Sequence, residues 1–182
     1  MGVLQKRALD MASLWHRDQN RKYPNVAIPY ASHVAGVAAI LARHGFSETV
    51  VAAGALHDTI EDCGIHFDEI SARFGREVAE LVRHCSEEDK SLEWAARKAA
   101  YLEKFPHKPW EAQAITLADK IDNLLSIVVC ASDHGDPWPM FKKGRDAQLE
   151  RYDALEVLAQ TLRPHPLIQE YSVVLQQVRD LP

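Results

Sequence analysis

The sequence predicts an all-α fold, a compact multi-helix bundle, and three observations carry that expectation. Apolar residues recur at helical spacing from end to end, two-residue alternation bounded by turn signals is scarce, and capping or stop residues stand at the ends of the periodic segments. Leu4, Ala8, Met11 and Trp15 follow the i, i+4, i+7, i+11 pattern of an amphipathic helix over roughly the first 18 residues. A polar connector from Asp18 to Tyr30 follows, where Pro24 and Pro29 oppose regular helix. Val34, Val37, Ala38 and Leu41 mark a second helix that stops at Gly45, a residue suited to a left-handed turn. Ser47 can cap a third helix, which is expected to run to Gly64 and to carry VVAAGALHDTIED. The segment HFDEISARFG reads as a short helix, and Val78, Leu81, Val82 and Cys85 give the next one an apolar stripe. Ser91 is a candidate cap for a helix ending near Pro106, and Pro109 fits the start of a long helix through Ile115, Ala118, Ile121 and Leu125. The stretch SDHGDPWPMFKKG is rich in breakers and reads as irregular. Two further helices, from about Asp146 to Leu162 and about Pro166 to Leu181, complete the chain.

The 182 residues, 47% of them hydrophobic, suffice for one core, so residues 1–182 are expected to form a single domain. A net charge of -5 without runs of like charge argues against nucleic-acid polymers and against a membrane surface. An anionic ligand must therefore be held by a few placed cations or a metal, because the mean field repels it. Cys63, Cys85 and Cys130 form no C-x-x-C pair and are odd in number, which speaks against a disulfide framework or a thiolate zinc site. With charges spread through the first twenty residues and no stretch of roughly 20 apolar residues, the chain is expected to be cytoplasmic.

The informative hexapeptide is His57-Asp58-Thr59-Ile60-Glu61-Asp62, in an otherwise apolar segment. On a continuous helix His57 would neighbour Glu61, and Asp58 would neighbour Glu61 and Asp62, so crowded carboxylates there call for a cation. The bland alternative is a polar helix end in solvent. His33 begins an apolar helix after the Pro29-Tyr30 turn, and Asp119 interrupts the apolar stripe of the long helix. Each alone reads as an ordinary packed or ion-paired side chain. Together with His57 and Asp58 they make two imidazoles and two carboxylates, a mixed set suited to a divalent transition metal, with Mn²⁺ favoured by the carboxylates.

PYASHV, ALHDTIED, RFGREVAELV and LADKIDNL, in that order, resemble the HD-domain phosphohydrolases, and more narrowly the RelA/SpoT-type hydrolase domain and its stand-alone small relatives, which remove the 3′-pyrophosphate of the alarmone (p)ppGpp. The resemblance runs from about Leu4 to Ser126 and fades in the C-terminal third. It implies a small nucleotide polyphosphate as substrate, one metal per chain, most consistent with Mn²⁺, and His33, His57, Asp58 and Asp119 as its ligands. It further implies that Glu61 and Asp62 activate water, and that Arg21, Lys22 and Asn123 bind substrate. The chain departs from the family at Ala27, where a Gly is usual, and at Cys63, where a Thr is common. Arg97, Lys98 and Tyr152 are further candidate substrate contacts, and His84 and His107 raise the question of a second metal. An HD-type nucleotidase or phosphatase for another nucleotide, or a catalytically idle nucleotide-binding HD protein, are the competing readings.

Overall fold

The computed structural model describes residues 1–86 and 93–182. Among them there is no strand, only an isolated antiparallel bridge between Asn20 and Pro29 that pinches the polar connector into a loop. Helix α1 (Val3–Trp15) buries Ala8 and Ala12, and α2 (Ala31–Arg43) buries Val34, Val37, Ile40 and Leu41 along one face. Both lie against α3 (Glu48–Leu56), whose residues from Val50 to Leu56 are all buried. The small side chains Ala52, Ala53, Gly54 and Ala55 let two neighbours approach that helix at once, so an element without an amphipathic face belongs at the centre. Gly45 takes φ 76°, the left-handed turn that ends α2, and Ser47 then caps α3 by accepting from the Val50 amide at 3.4 Å.

Helix α4 (Thr59–Cys63) is short, and α5 (Phe67–Phe74) and α6 (Arg76–Cys85) form a hairpin whose Val78, Leu81 and Val82 face the core. Helix α7 (Trp94–Lys104) precedes the 24-residue α8 (Trp110–Asp133), which lies against α2, α3, α6 and the C-terminal helix. Ile115, Leu117, Ile121, Leu124 and Ile127 of α8 are almost fully buried, and burial of each such side chain contributes about 1.5–3 kcal/mol. Helices α9 (Gly144–Gln160) and α10 (Pro166–Arg179) close the bundle. Ser91 lies outside the described residues, as do the side chains of Arg97 and Lys98.

The expected third helix does not run unbroken to Gly64. It stops at Leu56, and His57 and Asp58 form a break before α4. Side chains cause the break by competing for backbone carbonyls: His57 Nδ1 bonds the Gly54 oxygen at 2.8 Å and Thr59 Oγ1 bonds the Leu56 oxygen at 2.7 Å. Asp58, at φ -94° and ψ -3°, opens α4. The consequence is functional, since the break turns His57 and Asp58 toward α2 and α8. The expected irregular stretch after Ser132 is also shortened, because α8 continues to Asp133 and Trp138–Met140 form a 3₁₀ turn.

Candidate active site

Three elements bring the predicted ligands together. His33 lies in the first turn of α2, His57 and Asp58 in the α3–α4 break, and Asp119 in the middle of α8. His33, His57 and Asp119 are 1%, 3% and 7% exposed. The Nε2 atom of His57 is 3.0 Å from Asp58 Oδ2 and 3.8 Å from Asp119 Oδ1, and His33 Nε2 is 3.6 and 3.4 Å from the same two oxygens.

A divalent cation fits this arrangement. Among the described residues both Nε2 atoms are buried without a hydrogen-bond partner, a costly condition unless something else engages them. The opposite ring nitrogens are committed: His57 Nδ1 donates to the Gly54 carbonyl, and His33 Nδ1 bonds Asp122 Oδ2 at 2.6 Å. In the neutral ring, donation from Nδ1 leaves the Nε2 lone pair facing the carboxylates, which is how a metal-binding imidazole is oriented. Ligand atoms of His33, His57 and Asp58 lie within 4.8 Å of one another; Asp119 falls outside that tight group, although its Oδ1 lies 3.4 and 3.8 Å from the two Nε2 atoms. His84 and His107 join no such cluster among the described residues.

The electrostatics of the protein's own groups agree. Burial opposes a charge on His33, but the surrounding Asp119, Asp122 and Asp58 outweigh it and hold the imidazolium up to about 9. Burial likewise opposes charge on His57, and Asp58 and Asp119 push it well above the usual histidine range. For Asp58 burial is overcome by His57 and His33, and for Asp119 by Lys120 and the two histidines, so both carboxyls sit well below the ordinary carboxylate range. The pocket is built to concentrate positive charge between two carboxylates. Around it, the Tyr30 hydroxyl donates to Asp58, while Lys120 and Asn123 donate to the two oxygens of Asp119.

Asp122 was absent from the predicted set. Its signal was available as a second acid one helical turn after Asp119, on the same face of an apolar helix. Gly36 makes room for it: a Cβ there would stand 1.9 Å from Asp122 Oδ1.

The cluster opens into a cavity of about 750 Å³, lined among others by Arg21, Lys22, Glu61, Asp62 and Asn123. The structure thus gathers the four predicted ligands with Glu61, Asp62, Arg21, Lys22 and Asn123 around one cavity, but with unequal freedom. Lys22 and Asp62 are exposed and Glu61 half-buried. Arg21 is pinned, donating to Ser126 Oγ at 2.6 Å and lying 3.5 Å from Asp122 Oδ2, so it also steadies the carboxylate behind His33. Tyr152 is buried, and its carbonyl accepts from the Tyr171 hydroxyl. Sequence reasoning missed the wall from the C-terminal third, where Phe141, Lys142, Lys143 and Arg151 line the cavity. Lys142 and Lys143 sit in the breaker-rich stretch, where two cations in a row had no periodicity to give them a direction.

A helical bundle that places His, His-Asp and a distant Asp around one point is an HD-type metal site, and the match extends to the chain itself: residues 8–136 match the HD domain family, and the protein belongs to it. An HD site of this composition takes a divalent metal. Within that class the chain is 39% identical over 128 residues to the guanosine-3′,5′-bis(diphosphate) 3′-pyrophosphohydrolase MESH1 of Homo sapiens, an alignment covering 69% of this chain and 70% of that protein. Its fold is similar over 100% of the chain, and 98% of the other, to the solved structure of a metazoan ortholog of SpoT described as hydrolysing ppGpp and acting in starvation responses, with TM-score 0.83 and 29% identity. A crystal structure from Listeria monocytogenes EGD-e is similar over 80% of this chain and 97% of that one, with TM-score 0.74 and 38% identity. No helix among the described residues is long and apolar enough to cross a membrane.

Proposed function

We propose that this protein removes the 3′-pyrophosphate of (p)ppGpp, leaving GDP or GTP and intact pyrophosphate, with one divalent ion per chain, Mn²⁺ in preference, held by His33, His57, Asp58 and Asp119. The observation that carries the reading is the pair of buried, partnerless Nε2 atoms converging on Asp58 and Asp119 at the wall of a cation-lined cavity. Similarity to proteins named for this reaction supports the substrate. The three free cysteines support a reducing, cytoplasmic address, and one continuous core supports a single domain over 1–182.

A bound divalent ion would supply Lewis-acid charge for a phosphoryl oxygen and make water more acidic. The protein's own groups do the rest. Glu61 and Asp62 take the proton from the attacking water as its oxygen bonds the 3′-linked phosphorus. The bond from that phosphorus to the ribose 3′ oxygen breaks, and the departing oxygen takes up a proton. Lys22, Asn123 and Arg21 grip the nucleotide, with Arg21 held in place by Ser126 and Asp122. Glu61→Gln and Asp62→Asn keep side-chain size and remove charge, so each is expected to lower kcat by roughly 10²-fold or more, with metal content retained.

The deciding experiment offers ppGpp, pppGpp, nucleoside monophosphates and dinucleotides to the protein with Mn²⁺ and identifies the products. GDP with intact pyrophosphate from ppGpp is expected. Orthophosphate released from a monophosphate at higher kcat/KM would replace this reading with a nucleotidase. Nucleotide binding without turnover of any substrate would make the protein an idle HD binding module.

A further inference from the structure

Asp62 is exposed and stands on a helix of 5 residues, too short to fix the direction of a carboxylate by itself. Its Oδ2 nevertheless accepts a hydrogen bond from Gln19 Nε2 at 2.8 Å, across 43 residues of sequence. The other end of that amide is held as well: Gln19 Oε1 lies 2.7 Å from Nδ1 of His16. His16 is 2% exposed and its ring stacks on Tyr30 at 4.7 Å, the same Tyr30 whose hydroxyl bonds Asp58. The backbone is tied too, since the Gln19 amide bonds the His16 carbonyl and the Gln19 carbonyl accepts from the Tyr30 amide, each at 2.9 Å.

The directions of these bonds are forced. An ionised carboxylate only accepts, so Gln19 must turn its NH₂ to Asp62 and its oxygen to His16. His16 must then carry its proton on Nδ1. Cys63 Sγ, 3.3 Å from the same nitrogen, is a weaker second partner for it. A swapped amide would set two acceptors against each other at Asp62. The chain from His16 through Gln19 to Asp62 therefore runs in one direction, leaving His16 Nε2 buried without a partner among the described residues, and is anchored on the tyrosine that also touches a proposed metal ligand.

We propose that Gln19 is a positioning residue for Asp62, its amide fixed by His16, so that one carboxylate oxygen is held while the other is presented to the attacking water. The inference rests on the reading of Asp62 as a water-activating group. It gives a role to a buried histidine and to a half-buried glutamine on the cavity lining.

The test is a double-mutant cycle read in kcat and KM for ppGpp. Gln19→Leu, which removes the donor and keeps bulk, should lower kcat by about tenfold to 100-fold, the scale of a misplaced reacting group, with KM within about twofold and metal content unchanged. In an Asp62→Asn background the same change should cost nothing further. His16→Phe keeps the stack on Tyr30 but frees the amide to turn, so it should give a smaller fall in kcat that also vanishes in Asp62→Asn. This second variant keeps the test decisive if Gln19→Leu unfolds the connector. Full additivity with Asp62→Asn, or a rise in KM with kcat kept, overturns the positioning role alone. An Asp62→Asn protein with wild-type kcat would overturn the reading of Asp62 itself, and the two failures are thereby distinct.

Discussion

Removing the His57 ring takes one of two nitrogens from the cluster and leaves Asp58 and Asp119 facing each other with less positive charge between them. His57→Ala and Asp119→Ala are therefore expected to lose divalent-metal binding and to lower kcat by more than the roughly 100-fold that loss of an outer hydrogen-bond partner costs. Metal analysis of the purified variants, with the steady-state assay, checks both. His33 adds a pH dependence. Its folded value is raised to about 9 by the three aspartates around it, so in the metal-free protein its charge stabilises the fold fully below the ordinary histidine range, and that contribution is lost as pH rises through about 9. A metal must displace the same proton. Apparent affinity for Mn²⁺ should thus rise steadily from pH 6.5 to 9 while the thermal midpoint of metal-free protein falls; a flat affinity over that window would mean that His33 Nε2 is not a ligand.

At the scale of elements, the site depends on how closely α2 can pass α8. At Gly36 the two helices leave no room for a side chain, and Gly36→Ala would drive a methyl into Asp122 Oδ1, displacing the carboxylate that bonds His33 Nδ1. Since alanine is the better helix former, little loss of stability is expected, but metal affinity should fall about 10- to 100-fold, and calorimetric titration beside a melting curve separates the two. The helices themselves were legible, because periodicity, the Ser47 cap and the Gly45 stop are local signals. The break at His57 and Asp58 was not: its cause is a pair of side-chain bonds to backbone carbonyls that compete with a helix the propensities favour. The four proposed ligands were legible as residue types in order. Asp122 and Gln19 were not, because their roles arise from the packing of α2 on α8 and from the connector folding back on α4.

For the whole molecule, the net charge of -5 and the proposed polyanionic substrate pull in opposite directions, and the cavity resolves the conflict locally. Lys22 comes from the connector, Lys120 from α8, and Lys142 and Lys143 from the segment that leads into α9, so cations from both ends of the chain meet around the acidic cluster. Lys120 is half-buried and committed to Asp119, where that partner, against burial, raises its ammonium above the usual lysine range. Lys142 and Lys143 are exposed on the lining, at a place where a long nucleotide polyphosphate can reach beyond the metal cluster. Exposed cations of this kind strengthen binding of ground and transition state alike, because they act away from the reacting phosphorus. Replacing both by alanine should therefore raise KM for ppGpp by about tenfold, the worth of a charge-assisted bond to phosphate, with kcat within about twofold. The effect should shrink at high ionic strength, where wild-type KM also rises as screening weakens exposed charges. A nucleoside monophosphate, too short to span the cavity, should be nearly indifferent to the same change. Steady-state kinetics at low and high salt on both substrates reads all of this, and a variant that lost kcat but kept KM would place Lys142 and Lys143 at the reacting phosphate instead.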